Sequence, residues 1–166
     1  MSRLVKYKRI DIAVQAFNQL GWSLKIVGIG KEEGRLKAMA KKNIEFLGQL
    51  TEERLLDYYQ KCSAVVFPPA EDFGLVPLEA QACGRPVLAF KAGGALETVK
   101  ERKTGMFFFP QTPEALTKVL IDFNTLEYQS EDCRRNAERF SKELFKKKIK
   151  EVVKKEWQKH QRKLVF

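Results

Sequence analysis

Glu71 and Glu79 are separated by seven residues, Asp72-Phe73-Gly74-Leu75-Val76-Pro77-Leu78, which read as a glycine turn leading into a helix. Pro77 suits a first helical position, because a helix start leaves its N–H groups unpaired anyway. Gly84 suits the left-handed residue that ends a helix, so a short helix of about seven residues is predicted between them. The amides of Gly74, Leu75 and Val76 then point out of the helix N-terminus with the positive end of its dipole, an arrangement that favours phosphate. Glu71 before the turn and Glu79 within the helix offer carboxylate oxygens that accept the O–H groups of a ribose and a hexose. Together these groups suit a nucleotide-diphosphate sugar. The same acids also have a plainer reading, since a Glu near a helix start complements the dipole and loop acids are commonly just solvated.

Such loops need a rigid scaffold, and the chain supplies alternating helical and strand patterns. Ile10, Ala13, Val14, Phe17 and Leu20 recur at helical spacing up to Gly21, and Leu24 to Gly28 reads as a strand. A helix over about 32–41, a strand over 44–48 and a helix capped by Thr51 follow. Ala64 to Phe67, Pro86 to Phe90 and Met106 to Phe109 are short apolar runs of the kind that parallel strands buried on both faces display. Helices near 95–100 and 112–123 continue the alternation. Crossovers of this length predict an α/β fold, a Rossmann-like parallel sheet with helices on both faces. The loops at 28–30, 48–50, 68–74 and 91–94 all follow strands and so share the sheet edge where ligands bind in such folds. Each glycine there also fits a bare turn, and Gly28-Ile29-Gly30 lacks the third glycine of the dinucleotide fingerprint.

The formal charge of +10 raises the question of nucleic acid until its location is examined. Residues 141–166 hold ten Lys or Arg against three Glu, a net +7, whereas residues 1–140 hold 21 basic against 18 acidic residues, a net +3. The body is nearly balanced and the tail carries the excess. Length favours one domain over 1–140 followed by a basic amphipathic helix over 141–166, with Phe145, Ile149, Val152, Val153 and Trp157 as its apolar stripe. That stripe fits packing on its own or a partner domain, and its lysines also fit an anionic membrane surface or nonspecific nucleic acid. Cys62, Cys83 and Cys133 form no CxxC pair, and no run is long enough to span a membrane. A reducing, cytoplasmic location is expected, with peripheral contact at the inner face of the membrane through the tail. His160 has no second His or Cys near it in the chain, so no metal role is expected.

The body from Arg3 to about Phe140 resembles the C-terminal, donor-binding domain of family 4 retaining glycosyltransferases of GT-B architecture. The resemblance rests on the segments 2–11, 26–30, 45–48, 71–87 and 93–99, in that order, and is most similar to bacterial or archaeal O-antigen mannosyltransferases. It implies that Arg3 and Lys8 neutralise the departing diphosphate, which is electrostatic catalysis without a metal or other cofactor. It implies further that Glu71 holds the transferred hexose, that Leu75 and Val76 offer backbone amides to the phosphates, that Glu79 takes the ribose hydroxyls, and that Phe73, Gly74, Gly28 and Leu50 lie at the donor, Leu50 against the base. The implied donor is GDP-mannose and the implied acceptor a glycan or lipid-linked glycan held by an N-terminal domain. Ser2 and Lys6 stand where the family usually shows Gly and often Pro. The rival from another class is a noncatalytic nucleotide or nucleotide-sugar binding module. A basic nucleic-acid-binding protein is the second rival, although no specific nucleic acid is expected.

Overall fold

The computed structural model describes residues 1–123 and 128–163, with side chains described as far as Gln161. Five parallel strands alternate with helices: α1 Ile10–Leu20, β1 Leu24–Val27, α2 Glu33–Met39, β2 Ile44–Gly48, α3 Glu52–Lys61, β3 Val65–Phe67, α4 Leu75–Ala82, β4 Val87–Phe90, α5 Ala95–Thr98, β5 Gly105–Phe108 and α6 Pro113–Phe123. α7 Ser130–Glu138 and α8 Lys142–Lys163 follow. A turn of 3-10 helix over Lys6–Lys8 precedes α1.

The chain folds as α/β with helices on both faces, and residue alternation in β4 shows how. Leu88 enters a core shared with Ile12, Phe17, Phe108 and Leu116, so α1 and α6 cover that face. Val87 and Ala89 enter a second core with Tyr59, Ala80 and Ala95, so α3, α4 and α5 cover the other. Burial on both faces is why these strands are continuous apolar runs.

Two features differ from the sequence reading. The strands form two sheets rather than one, β1-β2 and β3-β4-β5. Between the free edges of β1 and β3 runs an open cavity of about 780 Å³, lined by Met1, Trp22, Leu24, Ile26, Ala64 and Val66 among others. Alongside it Ser2 N–H donates to Val27 O and Leu4 N–H to Ile29 O, both at 2.9 Å, so the N-terminal segment tracks the end of β1. The second difference is α7, whose sequence carries no apolar period. Its buried residues are Cys133 and Asn136.

The tail helix, expected over 141–166, spans Lys142–Lys163, and its last three residues lie outside the described ones. Phe145, Ile149, Val152, Val153 and Trp157 are all exposed, so the stripe does not pack on the body. Truncation after Ser141 is therefore expected to leave the Tm unchanged in a calorimetric scan, because among the described residues of the tail no apolar side chain is buried. Among the described residues no helix is long and apolar enough to cross a membrane.

Candidate functional site

Lys8 ends the 3-10 turn, and Arg9 after it adopts a left-handed φ of 50°, an unusual conformation for a side chain of this size. It is held there by Asp11, 3.4 Å from Nε, and by Gln111 Oε1, 3.2 Å from Nη1. Gln111 Nε2 in turn donates to Pro68 O at 2.8 Å, beyond the end of β3. Lys8, just before this left-handed step, reaches the loop after β3, where its Nζ forms an ion pair with Glu71 Oε1. Both side chains are mostly buried, so water screens the pair only partly. Lys8 Nζ also sits 5.1 Å from the Tyr7 ring centroid, within cation–π range.

Tyr7, Lys8, Ala70, Glu71, Asp72 and Phe73 line a cavity of about 370 Å³. Phe73 is exposed on its wall and is braced from behind by Phe140, with ring centroids 5.9 Å apart in an edge-on arrangement. The loop is shaped from below by Gly93 and Gly94. Gly94 N–H donates to Glu71 O at 2.8 Å, and a Cβ on Gly93 would lie 2.1 Å from that same oxygen.

Gly74 caps α4 with φ +77°, and among the described residues no side-chain cap bond satisfies the first amides. The helix therefore starts at Leu75, two residues before the predicted start, and Pro77 is its third residue. Proline is tolerated there because the first turn has no intrahelical acceptors for its N–H groups. Leu75 and Val76 thus present free amides at the positive end of the dipole, as a phosphate site requires.

The structure brings Lys8, Glu71 and Phe73 to one cavity, and none of the remaining sequence candidates lines it. Arg3 is exposed; its carbonyl accepts from Val5 N–H at 3.0 Å and from Ser2 Oγ at 2.8 Å, and its guanidinium has no ion-pair or hydrogen-bond partner among the described residues. Glu79 lies outside the cavity, where its Oε2 accepts from Tyr59 Oη at 2.8 Å. Burial, and then the neighbouring Glu79 carboxylate, push the Tyr59 phenol above its ordinary value, so it remains the donor. Gly28 donates its N–H to Gly48 O at 2.8 Å, and the space of a Cβ on it is taken by the Ser2 carbonyl. Its glycine thus serves the approach of the N-terminal segment. Leu50 is half-buried, one residue before Thr51, which caps α3. Neither Gly28 nor Leu50 lines the cavity. Tyr7, Arg9, Tyr59 and the Gly93–Gly94 support were not assigned roles from the sequence. The glycine pair entered only as part of a loop and of a family segment, and the places of the others at the site depend on residues distant in the chain, Gln111 for Arg9 and Glu79 for Tyr59 among them.

Known proteins resemble the chain in sequence and in fold. It is 29% identical over 145 residues to an uncharacterized glycosyltransferase of Methanocaldococcus jannaschii, covering 84% of this chain and 41% of that protein. It is 34% identical over 137 residues to a GDP-mannose-dependent monoacylated alpha-(1-6)-phosphatidylinositol monomannoside mannosyltransferase of Corynebacterium glutamicum, covering 73% and 36%. Among solved structures, Anabaena HepE in complex with UDP-glucose superposes with a TM-score of 0.80 at 25% identity, over 93% of this chain and 47% of that one. Sucrose-phosphate synthase of Thermosynechococcus elongatus superposes with a TM-score of 0.81 at 27% identity, over 95% and 44%. These neighbours are GT-B glycosyltransferases, and the chain spans less than half the length of the relatives it matches. Residues 1–140 match the sequence pattern described as Glycosyl transferases group 1, and with so much of its length matched the chain belongs to that family.

Proposed function

We propose that this chain binds the nucleotide-sugar donor of a retaining, metal-independent family 4 hexosyltransferase, with GDP-mannose as donor and a glycan or lipid-linked glycan as acceptor. The observation that carries the reading is the Lys8–Glu71 pair, set in a cavity next to the uncapped start of α4. When the sugar–phosphate bond breaks, the leaving diphosphate keeps the electron pair and gains charge. Lys8 and Arg3 supply fixed positive charge for it, and the amides of Leu75 and Val76 supply donors already oriented. Glu71 then takes hexose hydroxyls, and the free Oε1 of Glu79 takes those of ribose. The mannose assignment is supported by the Corynebacterium relative, whose name specifies GDP-mannose. Support for a bound nucleoside diphosphate comes from HepE, which was solved with UDP-glucose.

The pairing of Lys8 with Glu71 has a testable consequence. Without ligand the carboxylate keeps Lys8 partly neutralised, so free nucleotide must compete for the ammonium. Glu71→Gln is expected to leave binding of GDP unchanged or slightly tighter while weakening GDP-mannose roughly tenfold, the loss of one charge-assisted hydrogen bond. Calorimetric titration of both ligands into both proteins checks it. Equal losses for GDP and GDP-mannose would remove Glu71 from the sugar subsite. Titration of the unaltered chain with GDP, UDP and ADP, and with GDP-mannose and UDP-glucose, tests the donor, and tighter binding of UDP-glucose than of GDP-mannose would overturn the mannose assignment.

The tail fits peripheral contact with an anionic membrane on the cytoplasmic side, since its exposed apolar stripe is flanked by lysines. The alternative, a nucleotide-sugar binding module without catalysis, uses the same pocket and differs only in lacking transfer by the whole protein.

A further inference from the structure

We propose that Tyr59 is a positioning residue for the nucleotide: its hydroxyl holds the Glu79 carboxylate in the orientation that meets the ribose hydroxyls. The site thereby selects ribonucleoside diphosphates over nucleotides that lack those hydroxyls. The proposal rests on the reading of Glu79 as the ribose ligand and adds to it a residue from a different helix.

Tyr59 suits this task because its hydroxyl has a fixed place. The residue lies near the end of α3, and its ring is buried in the core with Val65, Phe67, Ala80, Val87 and Ala89. A ring packed against two strands and α4 keeps one rotamer, so the core sets where Oη stands. That single polar atom of the side chain reaches Glu79, whose Oε2 accepts from it at 2.8 Å. The backbone around the tyrosine is closed as well: Cys62 Sγ–H donates to Tyr59 O at 3.3 Å, and Cys62 N–H donates to Tyr58 O at 3.1 Å. Burial, and then the adjacent carboxylate, keep the phenol protonated, so it stays a donor through the neutral range.

Glu79 gains from such a support. It is half-buried, and among the described residues no lysine or arginine forms an ion pair with it. A carboxylate without a cation beside it repels phosphate and is matched to neutral O–H donors. The phenol occupies one side of Oε2 and leaves Oε1 to the ligand. Glutamate has three side-chain torsions, and ordering a side chain of that kind on binding weakens affinity roughly twofold to tenfold. Tyr59 orders it beforehand.

The helix gives this orientation its meaning. Glu79 stands four residues after Leu75, about 6 Å along the axis and on the same face. Helical side chains tilt toward the N-terminus, so Glu79 leans toward the end of α4 that carries the free amides of Leu75 and Val76. A fixed carboxylate therefore sets a fixed spacing between the ribose and diphosphate subsites, which are adjoining parts of one ligand.

Calorimetric titration of GDP and UDP, each beside its 2′,3′-dideoxy counterpart, tests the proposal whichever base the site takes. The unaltered chain is expected to prefer the ribonucleotides by about tenfold or more, the worth of a hydrogen bond to a charged acceptor. Tyr59→Phe keeps the buried ring. In this variant the ribonucleotides are expected to weaken about fivefold while the dideoxynucleotides keep their affinity, so the preference falls by that factor. In a Glu79→Leu background the preference is already lost, and adding Tyr59→Phe is expected to change nothing further, because the phenol acts only through the carboxylate. A preference that survives Tyr59→Phe, whether both classes weaken equally or neither does, makes the tyrosine merely structural and overturns the inference. A preference that persists in Glu79→Leu and falls only when Tyr59→Phe is added puts the phenol on the ribose itself and also overturns it. No preference in the unaltered chain removes Glu79 from the ribose subsite and overturns the underlying reading along with this one.

Discussion

Gly93→Ala is expected to destabilise the protein by about 3 kcal/mol and to abolish measurable binding of nucleoside diphosphates. Two effects combine at this position. Its φ of +56° disfavours any side chain, and a Cβ would meet the Glu71 carbonyl oxygen at 2.1 Å. That oxygen is backbone and also accepts from Gly94 N–H, so no rotamer change relieves the clash. Relief requires moving the Glu71–Phe73 loop, which runs directly into Gly74 and so displaces the Leu75 and Val76 amides assigned to the diphosphate. Gly21→Ala separates strain from clash. Gly21 has φ +70° with nothing within 4 Å of its would-be Cβ, so the substitution is expected to cost about 1 kcal/mol of backbone strain and leave binding intact. Thermal denaturation and calorimetric titration of both variants make the comparison. Equal binding in Gly93→Ala and Gly21→Ala would show that the loop tolerates displacement.

Asn136→Leu is expected to cost about 3 kcal/mol, a fall in Tm on the order of 10 °C for a domain of this size. Asn136 is buried, and its Nδ2 donates to Gln81 Oε1 at 2.6 Å and to Thr98 O at 2.8 Å. Gln81, also buried, donates through Nε2 to Thr98 O at 2.8 Å and to Pro77 O at 3.1 Å. This network ties α7 to the carbonyl at the end of α5 and to the first turn of α4. Leucine leaves Gln81 Oε1 buried without its donor, and a partly satisfied network costs more than an apolar one. The pair Asn136→Leu and Gln81→Leu should be less than additive by about 1 kcal/mol in a double-mutant cycle followed by urea denaturation. Strict additivity would mean that the two amides do not act as a unit.

Much of this architecture is written in residue types. The strand runs were legible because burial on both faces makes them continuously apolar, and α1 because its stripe has the helical period. α7 was not, because Ser130–Glu138 docks through Asn136 and Cys133 in place of an apolar stripe, and polar burial has no periodic signature. The start of α4 was misplaced because proline's preference for the first helical position outweighed the glycine three residues earlier, whose positive φ sets the true boundary. The division into two sheets was invisible because a strand's sequence shows that its edges need partners but not which strand supplies them. At the site, Glu71 and the amides ahead of Pro77 were suggested by local spacing. Lys8 was brought to them by family resemblance, since 62 residues lie between it and Glu71. The Tyr59–Glu79 hydrogen bond, joining α3 to α4, had no local signal at all.

The placement of the two tryptophans gives the protein a built-in optical readout. Trp22 stands on the wall of the cavity between β1 and β3, whereas Trp157 is exposed on the detached tail helix. Excluding solvent from that cavity should shift the emission of the first toward the blue while the second keeps its water-like spectrum. Contact between the tail and another surface should do the reverse. With Trp157→Phe and Trp22→Phe, each event can be followed by fluorescence on its own and without an attached dye.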